Sequence, residues 1–370
     1  MNSGFAAEVY EGRQKRLKIY QLESNTVCSP YRLIYPGDAL NRLSDIEVKL
    51  FPDFGQKECD ELLREADIFI IQRMVMVDHL RDLIAALNRR GIIVVYDIDD
   101  DLLHLDPTSR QAALNPSDYA LQVENCIRAC QAVQCATQTL AASLADVHPE
   151  VAVLENQLDR VPPLRERAPQ TGIAIVAYAA GSDHGQDWAT IKDVYNRTLA
   201  DLASRGVPVE TWIVGDAEIF NSVGSSRKRF FPILPREAYL RLLAEADLSI
   251  IPLKDNVFNG SKSDVKYLEC ASVGTPVLAS NLVYGRTIVD GRTGVLFRSA
   301  EEFSAQMIRL VTDRPFARGL AREAHRYVSN YRLMHQHVEK WASVYKEWHA
   351  RRDELMSRGA AAEKRFQPHP

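Results

Sequence analysis

Two stretches of the sequence hold the residue types that chemistry needs. The first is Asn256 to Ser280, NVFNGSKSDVKYLECASVGTPVLAS. Ser261, Lys262 and Ser263 stand ahead of Val265, Leu268 and Val273, which recur at helical spacing. A helix opening at Ser261 presents free backbone N–H groups, the positive end of its dipole, two hydroxyls and the Lys262 ammonium. That combination suits a phosphate. Lys266 and Glu269 fall on about the same face, so a carboxylate stands beside the phosphate site, where it can accept hydrogen bonds from ribose hydroxyls. A capped surface helix with a mixed-charge face is the plainer alternative. The second stretch is Tyr96-Asp97-Ile98-Asp99-Asp100, which closes the β-branched run Ile92–Val95. Carboxylates at a strand's end can hold Mg or Mn, and helix capping by Asp100 is the alternative.

The elements that position these residues are legible as alternating apolar runs and amphipathic stretches. Leu248–Leu253 reads as a buried strand closed by Pro252, and Val277–Ala279 as the next. Gly274 and Pro276 end the helix between them. Upstream, Tyr31–Tyr35, Ile46–Leu50, Asp67–Ile71 and Ile92–Tyr96 are expected strands, with helices over Cys59–Ala66 and Asp78–Arg90. Residues 1–29 carry no clear pattern. Helical Pro116–Cys130 and Thr137–Ala145 alternate with short strands at Ala132–Ala136 and Val151–Leu154. The Pro- and charge-rich stretch Val161–Gln170 is the best linker in the chain. A second series of strands follows at Gly172–Tyr178, Val209–Val214 and Arg229–Ile233. Helices are expected at Trp188–Ser204, Arg236–Glu245, Glu301–Thr312 and Phe316–Ser329. One long helix, Tyr331–Arg351, follows, and the last residues are expected to fray. The alternation predicts an α/β protein of two doubly wound, Rossmann-like domains facing a cleft at the carboxyl ends of their strands.

The Asn256–Ser280 segment resembles the donor-binding segment of the GT-B glycosyltransferases, in particular the retaining family 4. That family's pattern is Glu, seven residues, Glu, small residues, Gly-x-Pro-Val and Ser. Glu269, Gly274, Pro276, Val277 and Ser280 match it; Ser261 stands in the place of the first Glu. The resemblance covers residues 172–330. It implies an N-terminal acceptor-side domain (1–160), a nucleotide-sugar domain (171–330), a helix crossing back to the first domain (331–355) and a tail (356–370). It also implies sugar transfer from a UDP- or GDP-linked donor to a hydroxyl of a saccharide, lipid-linked glycan or protein, with retention and without a metal. In the family the first loop of the donor domain carries Gly-Arg and Lys against the phosphates. Here that loop is Gly181-Ser182-Asp183-His184-Gly185, which approaches a pyrophosphate with little side chain in the way or simply ends a strand at a cap. Lys262 is then left to supply the charge, with His184 as a helper or a solvated side chain. Phe231 and Ile233 correspond to the region that packs the base, or form a core edge strand, and Gly215-Asp216 lines the same pocket. On this reading Asp97, Asp99, Asp100 and Arg73 face the acceptor, and Asp99 or Asp100 acts as base or orienter.

Three alternatives stay open or are disfavoured. Asp97 and Asp99 mimic the Asp-x-Asp metal site of GT-A enzymes, but that reading leaves Lys262 and Glu269 without a role. The missing first Glu keeps a catalytically inactive GT-B scaffold in view. A dinucleotide-dependent oxidoreductase is disfavoured, because no strand is followed by Gly-x-Gly-x-x-Gly with an acid about twenty residues on. Composition bounds the rest. The chain of 370 residues is 46% hydrophobic and 25% charged, enough for two globular domains. A net charge of -4 gives no pull toward nucleic acid. No apolar run spans a bilayer, and the N-terminal segment lacks a signal-peptide core. A cytoplasmic protein is expected, with peripheral membrane contact at the inner face left open. Cys28, Cys59, Cys126, Cys130, Cys135 and Cys270 are scattered and read as reduced thiols.

Overall fold

The computed structural model describes residues 16–24, 27–52, 54–164, 172–181 and 184–363, the side chains of 359–363 excepted. Among these residues, twelve parallel strands form two sheets of six. The first sheet contains β1 (Leu17–Leu22), β2 (Ile46–Phe51), β3 (Ile68–Gln72), β4 (Ile93–Ile98), β5 (Ala132–Cys135) and β6 (Val151–Val153). Its order is β2-β1-β3-β4-β5-β6. The second contains β7 (Ala174–Ala179), β8 (Val209–Val214), β9 (Lys228–Phe231), β10 (Leu248–Ile251), β11 (Val277–Ser280) and β12 (Val295–Phe297). Its order, β9-β8-β7-β10-β11-β12, is that of a dinucleotide-binding Rossmann sheet.

Parallel sheets need cover on both faces, and the sequence supplies it. β3 and β4 are buried at every position. The helix Asp78–Arg89 lays Leu80, Ile84 and Leu87 on one face of the first sheet, the spacing of an amphipathic helix. The opposite face is covered from the far end of the chain. Trp341, Ala342, Tyr345 and Trp348, from the helix Met334–Ala350, pack with Ile19, Ile68, Ile93 and Val95. The C-terminal helix therefore lies on the first lobe. Two strands of chain cross between the lobes side by side. The Leu158 N–H donates to the Arg332 carbonyl at 2.9 Å, and the Met334 N–H to the Leu158 carbonyl at 2.7 Å.

Three expectations need correction. Tyr31–Tyr35 is not a strand. Pro30 opens a π-type turn over Pro30–Ile34 in which the Tyr35 N–H donates to the Pro30 carbonyl, and an α-helix, Tyr35–Leu40, continues it. Proline cannot donate to a ladder, and here one stands at each end of the run. The first strand is instead Leu17–Leu22, inside the stretch that showed no pattern. At the other end a helix spans Arg352–Glu363, running into the expected tail of 356–370, whose last residues, 364–370, lie outside those described.

Candidate functional site

In an open parallel sheet, ligands bind where the strand order reverses, beyond the carboxyl ends of the strands. In the second sheet that point lies between β7 and β10, and in the first between β1 and β3. The two crevices face each other, since side chains from the loops after β4 meet those from the loop after β10.

The β7 exit runs through Ala180 and Gly181. Gly215, at the end of β8, has φ +94°, and a Cβ there would lie 2.3 Å from the Ala180 carbonyl oxygen. Only glycine allows this approach, so Gly215 supports the β7 exit by its lack of a side chain. Ser182 lies outside the described residues. His184 is partly buried, its Nδ1 2.6 Å from Asp187 Oδ2 and its Nε2 2.9 Å from Lys266 Nζ. Lys266 also donates to the Ala179 carbonyl at 3.0 Å. Desolvation, followed by the Lys266 charge, pushes His184 down to about 4, so its ring is neutral at pH 7. Desolvation and the Lys262 charge pull Lys266 down to about 8. Asp216 caps the short helix Ala217–Ser222, accepting from the Glu218 and Ile219 N–H groups at 2.9 and 3.0 Å. Its Oδ1 is thus committed to the backbone. Phe231 packs its ring on Trp212, 5.3 Å between centroids, whereas Ile233 is 67% exposed.

The segment after β10 departs from the single helix expected at Ser261. Two helices form, Val257–Gly260 and Val265–Ser272, with Ser261–Asp264 between them. The Ser261 hydroxyl donates to the Val257 carbonyl at 3.2 Å, and the residue is only 1% exposed. It closes a turn and offers nothing to a ligand. Ser263 Oγ accepts from Asn156 Nδ2 at 3.0 Å, across the lobes. Asp264 makes no side-chain cap to the second helix. Its carboxylate is taken by Arg332 at 2.6 and 3.1 Å and by the Thr287 hydroxyl at 2.7 Å. The first-turn N–H groups therefore have no side-chain cap, as an anion site at a helix N-terminus requires. Lys262 projects from the break, its Nζ 3.3 Å from Asp100 Oδ1 of the other lobe and 4.3 Å from the Phe258 ring centroid.

Glu269 is more enclosed than a cleft-exposed carboxylate, at 8% exposure. It accepts the Tyr31 hydroxyl from the first lobe and Arg236 Nη1 at 2.9 Å. Arg236 lies over the Tyr31 and Tyr35 rings at 4.9 and 5.5 Å. Sequence reasoning missed both partners. Arg236 had one signal, a cation directly after Pro235 at a helix start. Tyr31 had none, because a strand would have turned it elsewhere.

In the first lobe, Arg73 follows β3 with φ +49°, the single non-glycine residue of positive φ among those described. Such a backbone costs on the order of 1–3 kcal/mol and persists where its surroundings over-determine it. Arg73 Nη1 donates to Asp99 Oδ1 and Asp100 Oδ2, both at 3.2 Å, and to Cys28 Sγ at 3.3 Å. Burial raises the Asp99 pKa against the pull of Arg73. Burial acts on Asp100 as well, but Lys262 and Arg73 outweigh it and hold that carboxyl below the usual range. Asp97 is a correction. It is 0% exposed, and its Oδ1 accepts from Arg32 Nε and Nη2 at 3.0 and 2.8 Å and from Gln134 Nε2 at 2.8 Å. Lying inside β4 rather than beyond it, Asp97 points into the lobe and cannot meet an acceptor. Asp97 and Asp99 also do not converge on one cation, since each is turned to its own arginine. Among the described residues no group of three or more His, Cys, Asp or Glu is arranged to hold a metal ion.

Residues 173–313 match the family model of the glycosyl transferases group 1. This stretch, under half of the chain, is similar to a group 1 glycosyltransferase domain. Solved structures extend the likeness to the whole fold of this glycosyltransferase. A sucrose-phosphate synthase from Thermosynechococcus elongatus superposes with a TM-score of 0.62 at 12% identity, covering 90% of this chain and 100% of that one. HepE from Anabaena, solved with UDP and glucose, gives 0.60 at 14% identity, over 90% and 100% of the two chains. A glycosyltransferase from Rickettsia africae ESF-5 gives 0.59 at 12%, over 90% and 98%. At these identities the likeness speaks for the fold, which is GT-B. No curated protein matches the glycosyltransferase in sequence. No helix among its described residues is long and apolar enough to cross a membrane.

Proposed function

We propose that this glycosyltransferase moves a sugar from a nucleoside-diphosphate donor, UDP- or GDP-linked, to an acceptor hydroxyl of a saccharide, lipid-linked glycan or protein. The donor lies in the crevice between β7 and β10 of the lobe spanning 171–330. The acceptor enters from the lobe spanning 1–160, which the helix at 331–355 seals. One observation carries the reading. Lys262 and Lys266 stand together at the carboxyl ends of β7 and β10, and neither is bonded to a carboxylate of its own lobe.

When the glycosidic bond to the donor phosphate breaks, negative charge gathers on the departing oxygen. A preorganised ammonium and the uncapped N–H groups ahead of Val265 neutralise it, doing the work a divalent ion would otherwise do. Lys262 leaves Asp100 to do so. Asp100, then held by Arg73 alone, has a free oxygen to orient or deprotonate the incoming hydroxyl. Glu269 takes the ribose hydroxyls. Retention at the anomeric carbon follows from the resemblance to family 4.

A thermal-shift panel of UDP-, GDP- and ADP-sugars tests the donor class, and transfer assayed in excess EDTA tests the metal. A stabilising UDP- or GDP-sugar together with EDTA-resistant transfer is expected. Activity abolished by EDTA and restored by manganese would return the donor to the aspartates of the first lobe.

A further inference from the structure

His184 and Asp187 do more than edge the β7 loop. Asp187, almost fully buried, uses both carboxylate oxygens. Oδ1 accepts from the Lys254 N–H at 2.8 Å and from Asn259 Nδ2 at 2.7 Å, and Oδ2 faces His184 Nδ1 at 2.6 Å. A carboxylate only accepts, so Nδ1 carries the ring proton and Nε2 is left as a lone pair. That lone pair lies 2.9 Å from Lys266 Nζ. Two of the three ammonium donors are then fixed, one on His184 and one on the Ala179 carbonyl. The third has no partner among the described residues. An ammonium held by a neutral ring and a carbonyl, beside a second lysine, is a positive site short of an anion. A Lys–carboxylate pair would have cancelled that charge.

We propose that Asp187 is a positioning residue which, through His184, holds Lys266 as a fixed ammonium for the donor's diphosphate. This rests on the donor-site reading above and adds how its second cation is set. The chain Asp187–His184–Lys266 does three things at once. It selects the Nδ1–H tautomer and aims the ammonium. It also keeps the group next to Lys266 free of negative charge, so the lysine's whole charge is available to phosphate. It further joins the loops after β7 and β10, because Asp187 holds Lys254 and Asn259 with its other oxygen.

Charge linkage gives this a signature that a merely structural role lacks. The charged and titratable groups facing Lys266 are Lys262, Asp187, His184, Glu269 and Cys270. Without ligand its pKa sits near 8, so part of it is deprotonated above that pH. A bound diphosphate stabilises the protonated form and raises the pKa. Through Lys266, binding must therefore take up most of a proton at pH 8.5 and almost none at pH 6.5, where the terminal phosphate's own second ionisation, at about 6, adds a release that Lys266→Met shares.

The test is calorimetric titration of the full chain with UDP and with GDP, each beside its nucleoside, at pH 6.5 and 8.5 in two buffers of different ionisation enthalpy. The wild type is expected to bind one of the diphosphates with proton uptake at the higher pH. Lys266→Met abolishes the uptake, and His184→Leu weakens the diphosphate on the order of tenfold while sparing any nucleoside affinity. His184→Gln, which offers an acceptor oxygen to Lys266, recovers most of the loss. Because His184 variants leave the Asp187 contacts to Lys254 and Asn259 intact, the loops stay joined, and melting curves verify it. If diphosphate binds, weakens in Lys262→Ala, yet binds Lys266→Met and His184→Leu as it does wild type with unchanged uptake, this inference is wrong and the donor-site reading stands. If neither diphosphate binds the wild type, both fall.

Discussion

The two facing crevices handle charge in opposite ways. On the first lobe, every acid of the Asp97–Asp100 run that reaches the crevice or lies behind it has an arginine of its own lobe: Arg32 for Asp97, Arg73 for Asp99 and Asp100. On the second lobe, Lys262 borrows a carboxylate from across the cleft, and Lys266 has none. A side that neutralises itself is built to stay as it is. One that does not is waiting for an anion. Residue type alone marks both stretches for chemistry, and their partners tell them apart.

The largest effect should come from breaking the self-neutralised side at its deepest point. Arg32 and Asp97 are both fully buried, and Arg32 also reaches the Leu154 carbonyl and Asn156 Oδ1. Asp97→Asn leaves a buried guanidinium uncompensated and should cost about 3–5 kcal/mol of stability, read by urea unfolding. The same change at Asp100 should cost less, because its pair with Lys262 keeps 22% and 19% side-chain exposure and Arg73 retains Asp99. Equal losses at the two positions would erase the distinction between scaffold and site.

On the second lobe the loss should appear in kinetics instead. Lys262→Ala removes an interaction that strengthens as charge builds on the leaving phosphate, so kcat should fall on the order of a hundredfold, with the melting temperature barely changed. Glu269→Gln should act mainly through donor KM, since ribose hydroxyls do not change during the reaction. Loss of charge-assisted bonds there is worth roughly 1.5–3 kcal/mol. Unlike Lys262→Ala it should also lower the melting temperature, because Arg236 loses its carboxylate while remaining three-quarters covered. Donor-dependence kinetics and melting curves on the two variants separate these outcomes.

How far the sequence revealed this arrangement depended on whether a residue's role was local. Apolar runs bounded by Gly or Pro located most of the strands, and Gly274 ended its helix with the left-handed φ of +72° that glycine tolerates. Lys262, Lys266 and Glu269 drew attention because their chemistry and their helix lie in one stretch. What was not legible was tertiary. Asp97 and Asp99 look alike in sequence, and strand alternation would put both on one face, but β4 ends at Ile98, so Asp97 stays inside the lobe and Asp99 falls on the turn at its rim. Ser261 looked like a helix opening, but it closes the turn after Val257–Gly260, and the next helix starts only at Val265. Tyr31 carried a strand-like composition that flanking prolines overrode, and its partner Glu269 lies 238 residues away. No periodicity records a contact of that span.

The smallest effect, and the finest test of the comparison, concerns Tyr31. Among the described residues its hydroxyl is the one group of the self-neutralised lobe bonded to Glu269, the carboxylate proposed to take the donor's ribose. Glu269 Oε1 already accepts from two donors, the Tyr31 phenol and Arg236 Nη1, so a ribose hydroxyl brought to that oxygen competes with the phenol. A ribose hydroxyl directed to Oε1 displaces Tyr31, and part of its binding free energy then offsets the bond it breaks. Tyr31→Phe removes the competitor and keeps the ring under Arg236. Donor KM should then fall about two- to tenfold, the worth of one net hydrogen bond, with kcat unchanged. Donor-dependence kinetics on this variant read the sign directly. A KM that rises instead would mean that the phenol and the ribose share Glu269, making the contact between lobes a part of the donor site rather than its rival.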